Sequence, residues 1–360
     1  MSHRISARLA ATAAGLAALG FAGAAPAAET IKLTYLSGYP PVATWTGAVL
    51  ETFIPQVDAA LAKTGTYKIE WNLAHSGQVV RATGELEGVE TGVGDFAAVV
   101  TAAAPDKAPL YAISFNTPFV TKDMTLLSDT MKALYDQYPA YQAGWDKFNQ
   151  IALQPASAVD NMMVWTDKKV TNLDGLKSMK IGAIGPNLSW VQAIGAVGVN
   201  TDLVRAYNGL QTGVFTGVIF WPAAAGQFKL CEPAPYGLNA DIGAVSGFSL
   251  NVNKDTWESL PEEVRKAFVA AAPAWKASNI ARVEKVTGIM VGKCQKEYGT
   301  EITNLSDAER VAWANALPPL GKDWAARVDK AGGPGTPILK TYMDAMRAAN
   351  QPIARQWDRQ

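Results

Sequence analysis

Alternating and apolar segments recur along the first half of the chain and predict a series of strands. Residues 31–37 (IKLTYLS) and Tyr67–Ala74 alternate apolar and polar side chains. The apolar run within residues 93–100 predicts a buried strand. Apolar residues at helical spacing from about residue 44 to 63, and a loop and helix before residue 93, separate these strands. Strands that alternate with helices favour a parallel sheet covered by helices.

The second half of the chain repeats the alternation of strands and helices and then becomes mostly helical. We predict strands within residues 149–159, 161–167, 180–183 and 247–253, and a helix over residues 187–198. Residues 208–222 predict a helix, a turn and an apolar strand. A long helix begins near Pro261 and runs to Glu297, with Pro273 as a site for a kink. From about Ser306 onward the pattern is again helical. The pattern favours two α/β lobes with crossing segments over two domains in series.

The first 27 residues have the pattern of a cleavable secretory signal peptide. Arg4 and Arg8 precede an apolar run over residues 9–25, and Ala25, Pro26 and Ala27 form a small-residue cleavage pattern. A transmembrane anchor is the alternative, but the run is short and rich in Ala and Gly. We therefore expect a mature protein that is exported to the periplasm and is not embedded in the membrane.

Composition and charge limit the partners that the mature chain can have. The chain is 49% hydrophobic and 18% charged, which is typical of a globular protein, and about 330 mature residues favour two domains. Its 32 basic residues equal its 32 acidic residues, so no basic surplus is present to hold a nucleic acid. Eleven tryptophans exceed ordinary core needs, and tryptophan is a good wall for a small-molecule pocket.

Few residues of the mature chain are suited to catalysis or metal binding. His75 is the only histidine after the signal segment, so a zinc site of His and Cys and a Ser-His-Asp triad are both unsupported. The glycines at Gly182 and Gly185 are not followed by the Lys of a phosphate-binding loop. We predict no cofactor and no metal. Cys231 and Cys294 are expected to pair in an oxidising compartment, with two buried free thiols as the alternative.

Five segments, in their order along the chain, carry a resemblance to a known family. They are WNLAHSGQVVRATGELEGVETGVGDFAAV, NTPF, LDGLKSMKI, YNGLQTGVFTGV and NKDTWESLPEEVRKAF. Together they resemble the substrate-binding proteins of TRAP (tripartite ATP-independent periplasmic) transporters, over residues 31 to about 297. The resemblance implies an α/β clamshell like that of periplasmic binding proteins, with two lobes, crossing strands and a long connecting helix. It also implies a small-molecule ligand in the cleft between the lobes and delivery to the membrane subunits of a TRAP permease.

The resemblance also implies a division of the chain. Residues 28–155 and about 243–285 would form lobe I, and residues 156–242 and about 286–330 would form lobe II. Residues 331–360 would form a C-terminal helical segment. Family members mostly bind organic acids through an arginine at the position that is Gly182 here, so we expect a ligand that is not a simple dicarboxylate.

The candidate ligand contacts are residues expected at strand ends or turns near the cleft. Each has a structural alternative, namely core packing for the tryptophans and the phenylalanine and a turn for the others. If Asp160 enters the pocket, an aromatic wall with one carboxylate suits a cation or zwitterion. Asn187, Gln211 and Gln227 are further candidates for neutral polar contacts. The candidate set is Tyr39, Asp160, Asn161, Gly182, Trp190, Phe220 and Trp221.

Two other functions use the same kind of scaffold. An exported enzyme is disfavoured by the scarcity of histidine and the lack of a nucleophile motif. A sensory protein that presents its ligand to a membrane kinase has the same sequence features as a transport receptor. Turnover of a bound ligand would indicate the enzyme, and neighbouring genes for membrane subunits would indicate transport.

Overall fold

The computed structural model describes residues 28–359, so the predicted signal peptide lies outside the described residues. The strands are β1 (Glu29–Leu36), β2 (Tyr67–Ala74), β3 (Phe96–Val100), β4 (Gln150–Val159), β5 (Met163–Thr166), β6 (Lys180–Ala183), β7 (Val197–Asn200), β8 (Gly217–Phe220), β9 (Tyr236–Asn239), β10 (Val245–Asn253) and β11 (Glu301–Asn304).

The helices are α1 (Thr44–Ala48), α2 (Ile54–Leu61), α3 (Glu85–Glu90), α4 (Ile113–Asn116), α5 (Met124–Gln137), α6 (Ala140–Asp146), α7 (Leu188–Gln192), α8 (Leu203–Gln211), α9 (Pro222–Gln227), α10 (Lys254–Ser259), α11 (Glu262–Tyr298), α12 (Asp307–Ala316), α13 (Leu320–Lys330) and α14 (Gly335–Ala348). A π-helical segment, Val49–Phe53, joins α1 to α2. Short 3₁₀ turns lie at Thr101–Ala103, Pro109–Ala112, Leu173–Leu176 and Gly185–Asn187.

The first sheet has the strand order β2-β1-β3-β10-β4. Strands β2, β1 and β3 are parallel, as the alternation of strands and helices predicts, but β10 runs antiparallel to both β3 and β4. The sheet is therefore mixed, because the chain returns to it as β10 after β9 of the second sheet. All nine residues of β10 are buried, and its polar side chains Ser249, Asn251 and Asn253 form hydrogen bonds within the core.

The second sheet has the strand order β11-β9-β5-β8-β6-β7 and includes three strands that the sequence did not predict. The predicted helix over residues 187–198 is wrong in its second half, since α7 ends at Gln192 and Val197–Asn200 forms β7 against β6. Strands β9 and β11 pair with each other in parallel. All three have only four residues and at most two of them are buried, whereas the equally short β5, β6 and β8 have three or four buried residues, so no buried apolar run marks the three missed strands.

Two segments cross between the sheets. The chain passes from β4 to β5 at residues 160–162 and returns from β9 to β10 at residues 240–244. The two segments bond to each other, since the Met162 amide donates to the Gly243 carbonyl at 3.0 Å. Two lobes with crossing strands and a connecting helix, the fold class expected from the sequence, are confirmed.

Helix α11 is the long connecting helix and contacts both lobes. It packs against α1 and α2 of the first lobe and against α9 of the second. It continues through Pro273 and ends at Gly299, whose left-handed φ of 65° suits a helix C-terminus. Cys231, just after α9, forms a disulfide with Cys294 near the end of α11.

The C-terminal helices pack on the first lobe. Indole nitrogens anchor them there, because Trp324 Nε1 donates to the Pro109 carbonyl at 2.7 Å and Trp357 Nε1 donates to the Pro118 carbonyl at 2.7 Å. Several tryptophans thus fasten one element to another instead of forming a pocket wall. Within residues 28–359, no helix combines the length and the apolar character that a bilayer span requires.

Candidate functional site

A narrow cavity lies between the two lobes, beside the crossing segments. Its volume is about 40 Å³, and within the described residues none of its lining side chains is charged. The first lobe contributes β10 and the turns after β1 and β3, and the second lobe contributes the ends of β6 and β8. The lining residues are Tyr39, Trp45, Val100, Ala102, Phe115, Val159, Met162, Ile184, Leu203, Phe220, Trp221, Val245, Gly247 and Phe248.

Aromatic rings form a continuous group in the cavity wall, and Trp45 is its centre. The Trp45 ring stacks on Phe248 with centroids 4.3 Å apart and meets the Tyr39 ring edge-on at 4.9 Å. Trp221 approaches Trp45 from the second lobe at 6.2 Å and also contacts Phe220. Rings from both lobes thus meet across the cleft, in an arrangement that suits the apolar body of a small ligand.

Three of the sequence candidates therefore lie in this wall, namely Tyr39, Phe220 and Trp221. Phe220 and Trp221 are there because β8 ends at Phe220 and Pro222 starts α9, so the chain turns at the edge of the sheet. Tyr39 follows β1 in the same way. Strand ends of this kind are where open α/β sheets bind ligands.

Sequence reasoning missed Trp45 and Phe248, the two rings that stack most closely in the wall. Trp45 belongs to α1, directly after the turn that carries Tyr39, so its position after the first strand was an available signal. Phe248 gave no such signal, because every residue of β10 is buried and its sequence does not distinguish the cleft side.

Gly182 does not line the cavity, contrary to the expectation that its strand end faces the cleft. A Cβ atom built on Gly182 would lie 3.0 Å from the ring of Phe215. The same ring covers Gly209 of α8 so closely that a Cβ there would overlap it. Phe215 therefore fills the space above β6, and glycine at position 182 leaves room for that ring.

Trp190 also lies outside the cavity wall and packs in the core, which was the structural alternative to a ligand contact. Its side chain is fully buried, and Nε1 donates to the Phe115 carbonyl at 3.0 Å. Its own carbonyl accepts from Trp313 Nε1 at 2.8 Å. Trp190 thus joins α7, α4 and α12 behind the cavity and supports Phe115, which does line it.

Asp160 and Asn161 hold the crossing segments together and do not line the cavity. The Asp160 carboxylate accepts from the Asn161 amide at 2.6 Å and from the Thr287 hydroxyl at 3.3 Å, and burial raises its pKa. The Asn161 side chain donates to Asn239 at 2.7 Å and accepts from the Gly243 amide at 2.8 Å. Because Asp160 lies outside the cavity, its carboxylate does not supply the negative charge that a cationic ligand would need there.

A buried carboxyl group lies behind the Tyr39 turn. Glu85 is fully buried, and its Oε1 accepts from the Gly38 amide at 2.9 Å, which fixes the turn that presents Tyr39. Burial raises the pKa of Glu85 to about 7, despite the opposing effect of that hydrogen bond. Burial, and next the nearby Glu85 charge, also raise the pKa of Tyr39, so its phenol stays protonated.

Two of the other polar candidates, Gln211 and Gln227, lie outside the cavity wall. Gln211 on α8 bonds to the Tyr207 hydroxyl at the surface, and Gln227 bonds across the cleft to the Val42 carbonyl at 2.7 Å. A wider groove of about 370 Å³ lies on the outer face of the first lobe, so it is not the interlobe cleft. Within residues 28–359, no group of His, Cys, Asp and Glu side chains is placed to hold a metal ion.

Comparison with protein families matches residues 55–327 to the model of bacterial extracellular solute-binding protein family 7, DctP. A curated relative is the C4-dicarboxylate-binding periplasmic protein DctP of Rhodobacter capsulatus, which is 30% identical over 141 residues. That match covers 38% of this chain and 41% of the relative, so the chain matches less than half of that protein's length.

Comparison with solved structures shows the same fold at low sequence identity. A TRAP periplasmic solute-binding protein of Bordetella bronchiseptica, with bound mandelate, has a TM-score of 0.76 and 19% identity, and the match covers 89% of this chain and 99% of that one. A Bordetella pertussis solute receptor that binds pyroglutamic acid has a TM-score of 0.73 and 20% identity, with 88% and 99% coverage. A Desulfovibrio salexigens protein in an open complex has a TM-score of 0.74 and 21% identity, with 88% and 96% coverage.

Proposed function

Because the chain belongs to family 7 of the bacterial extracellular solute-binding proteins, we propose that it is an extracytoplasmic receptor that captures a small organic molecule and delivers it to a TRAP-type permease. The family consists of solute-binding receptors, so the chain is not an enzyme. The proposal places the mature protein in the periplasm after cleavage of residues 1–27.

The same proposal divides the chain into the two lobes that close over the ligand. Lobe I comprises residues 28–155 and about 243–285, and lobe II comprises residues 156–242 and about 286–330, except that α13 at the end of this range packs on lobe I. The two separate sheets support this division, as does the bonding between the crossing segments at residues 160–162 and 240–244. The segment 331–360 packs on the first lobe through α14 and Trp357.

We propose further that the ligand has a mainly apolar body and is not a simple dicarboxylate. The observation that carries this proposal is the aromatic cavity wall without a charged side chain. A dicarboxylate would bring two negative charges into this wall, and a buried charge without a partner costs several kcal/mol. The family arginine that would pair with such a charge is Gly182 here, and the Phe215 ring covers that position.

Calorimetry with the purified mature protein tests this function. The ligands are succinate, malate and 2-oxo acids on one side, and mandelate and other aromatic or amine compounds on the other. We expect the simple dicarboxylates to bind at least about tenfold more weakly than the best ligand with an apolar body, which corresponds to about 1.4 kcal/mol. Micromolar or tighter binding of a simple dicarboxylate would overturn the ligand class.

A matched pair of tryptophan variants locates the binding site. Trp221→Ala removes a ring from the cavity wall and should abolish binding of the best ligand in that panel. Trp257→Ala removes a ring that packs on Phe268 of α11, outside the cavity, and should leave that binding unchanged. Equal effects of the two variants would contradict the placement of the ligand between the lobes.

A further inference from the structure

The two tryptophans of the cavity wall differ from most other tryptophans in how they use their indole nitrogen. Trp45 Nε1 and Trp221 Nε1 are buried and have no hydrogen-bond partner among the described residues. A buried polar group without a partner costs about 1–3 kcal/mol, so most find one. The tryptophans whose Nε1 does donate to a protein oxygen are Trp71, Trp145, Trp165, Trp190, Trp275, Trp313, Trp324 and Trp357.

Two more unpartnered polar side chains lie where the lobes touch beside the same cavity. Asn187 is fully buried, and neither its Oδ1 nor its Nδ2 has a partner within residues 28–359. Its backbone amide bonds to the carbonyl of Ile184, which lines the cavity. The turn Gly185–Asn187 packs against Thr101–Ala103 of the first lobe, where Ala102 lines the cavity and the Thr101 hydroxyl also lacks a partner.

The four unpartnered groups are uncharged, and they lie either in the cavity wall (Trp45 and Trp221) or on the turns beside it (Thr101 and Asn187); we call them the polar edge. Three of them offer N–H or O–H donors to an acceptor, and Asn187 offers both a donor and an acceptor on one planar group. A carboxylate would satisfy the donors, but it would leave Asn187 Oδ1 unpaired and its own charge without a counterion. An amide satisfies both Asn187 atoms, because its C=O accepts from Nδ2 while its N–H donates to Oδ1.

We propose that this polar edge recognises an uncharged amide or lactam group, whose apolar remainder fills the aromatic cavity. The inference rests on the proposed receptor function and names the chemical class of its ligand. The described cavity of about 40 Å³ is far below the 300–1,000 Å³ that ligand sites usually have, so the lobes must separate before the ligand enters. Separation at the contact between residues 101–103 and 185–187 would expose Asn187 and Thr101 to it.

Calorimetry with four probes of one size tests the ligand class. The probes are cyclohexanecarboxamide, caprolactam, cyclohexanecarboxylate and cyclohexylmethanol, titrated into the full mature protein. We expect the carboxamide or the lactam to bind at least about tenfold more tightly than the carboxylate and the alcohol, since these leave a partner of the polar edge unpaired.

Three variants test the residues. Thr101→Val keeps the shape of the side chain, and Asn187→Leu keeps its approximate size. Each should weaken binding of the best amide probe about tenfold or more. The control, Gln211→Leu, changes an exposed side chain on α8 and should not change the affinity.

The outcomes separate the ligand class from the receptor function. Tighter binding of the carboxylate or the alcohol than of both amide probes overturns the amide proposal and leaves the receptor intact. Unchanged amide affinity in both Thr101→Val and Asn187→Leu overturns it as well. Failure of these probes and of every ligand in the dicarboxylate and aromatic panel counts against the receptor function itself.

Discussion

The packing of the Phe215 ring, and not a contact with a ligand, explains why position 182 is a glycine. A Cβ at this position would lie 3.0 Å from the Phe215 ring, which is closer than side chains normally pack. We expect Gly182→Ala to lower the free energy of unfolding by about 1–3 kcal/mol. Urea unfolding measures this value, and Phe215→Leu in the same chain should recover part of the loss.

The control for this prediction is Gly185, three residues along the chain. A Cβ there would have no atom within 4 Å, so Gly185→Ala should change stability little. A Gly182→Ala protein as stable as the wild type would show that the Phe215 ring moves freely. In that case the ring would not be the reason for glycine at position 182.

Glu85 makes stability depend on pH in a defined direction. Its pKa is raised from 4.5 to about 7 in the folded protein because the carboxyl group is buried. The folded state therefore holds the proton more tightly than the unfolded state does. The stability that this proton provides is fully present below about pH 4.5 and is lost as pH rises through about 7.

Glu85→Gln tests this dependence, since the amide keeps an acceptor for the Gly38 amide but cannot ionise. Urea unfolding of the wild type should show a fall of up to about 3 kcal/mol between the two pH limits, and the variant should lack it. Glu70→Gln is the matched control, because Glu70 is exposed and pairs with Lys32 at the surface. A wild type whose stability rises over this interval while the variant's does not would contradict the assignment.

At the scale of elements, the disulfide ties the end of α9 to the end of α11. Cys231 and Cys294 are 63 residues apart, so the bond closes a long loop and restricts the unfolded chain. We expect replacement of both cysteines by alanine to lower the free energy of unfolding by roughly 2–4 kcal/mol. Denaturant unfolding of the exported protein checks the magnitude.

Mass spectrometry without reductant checks the bond itself. The native mature chain should have the mass of the reduced chain less the two thiol hydrogens. Complete alkylation of both cysteines in native, unreduced protein would show free thiols and end the prediction.

For the whole molecule, we predict closure on ligand binding. The lobes already meet through the Trp45 and Trp221 rings and through the bond from Gln227 to the Val42 carbonyl, and the aromatic cavity between them has a volume of only about 40 Å³. A ligand-free protein should open because the closed form leaves buried polar groups unpaired, and a bound ligand should draw the lobes together around it.

Small-angle scattering measures this change as a smaller radius of gyration at saturation with the best ligand from calorimetry. Trp221→Ala at the same ligand concentration is the control, since it should not bind and should keep the larger radius. An unchanged scattering profile for the saturated wild type would count against a clamshell receptor.

The sequence by itself determined the fold class and most long elements. The alternation in β1 and β2 and the helical period of α5 and α11 are local patterns, because backbone geometry sets which neighbours share a face. Five short segments in a family order indicated the receptor class, which the match over residues 55–327 confirmed.

Only the tertiary structure decided which residues face the cleft. Gly182 and Asp160 lie at strand ends and Trp190 lies in the helix after β6, as expected. In the folded protein Phe215 covers Gly182, the Phe115 carbonyl accepts from Trp190, and Thr287 donates to Asp160. Trp45 and Phe248 come from distant parts of the chain and stack because β10 returns to the first sheet. A local pattern places a side chain on one face of its element, but the elements packed against that face decide whether it meets a ligand or another side chain.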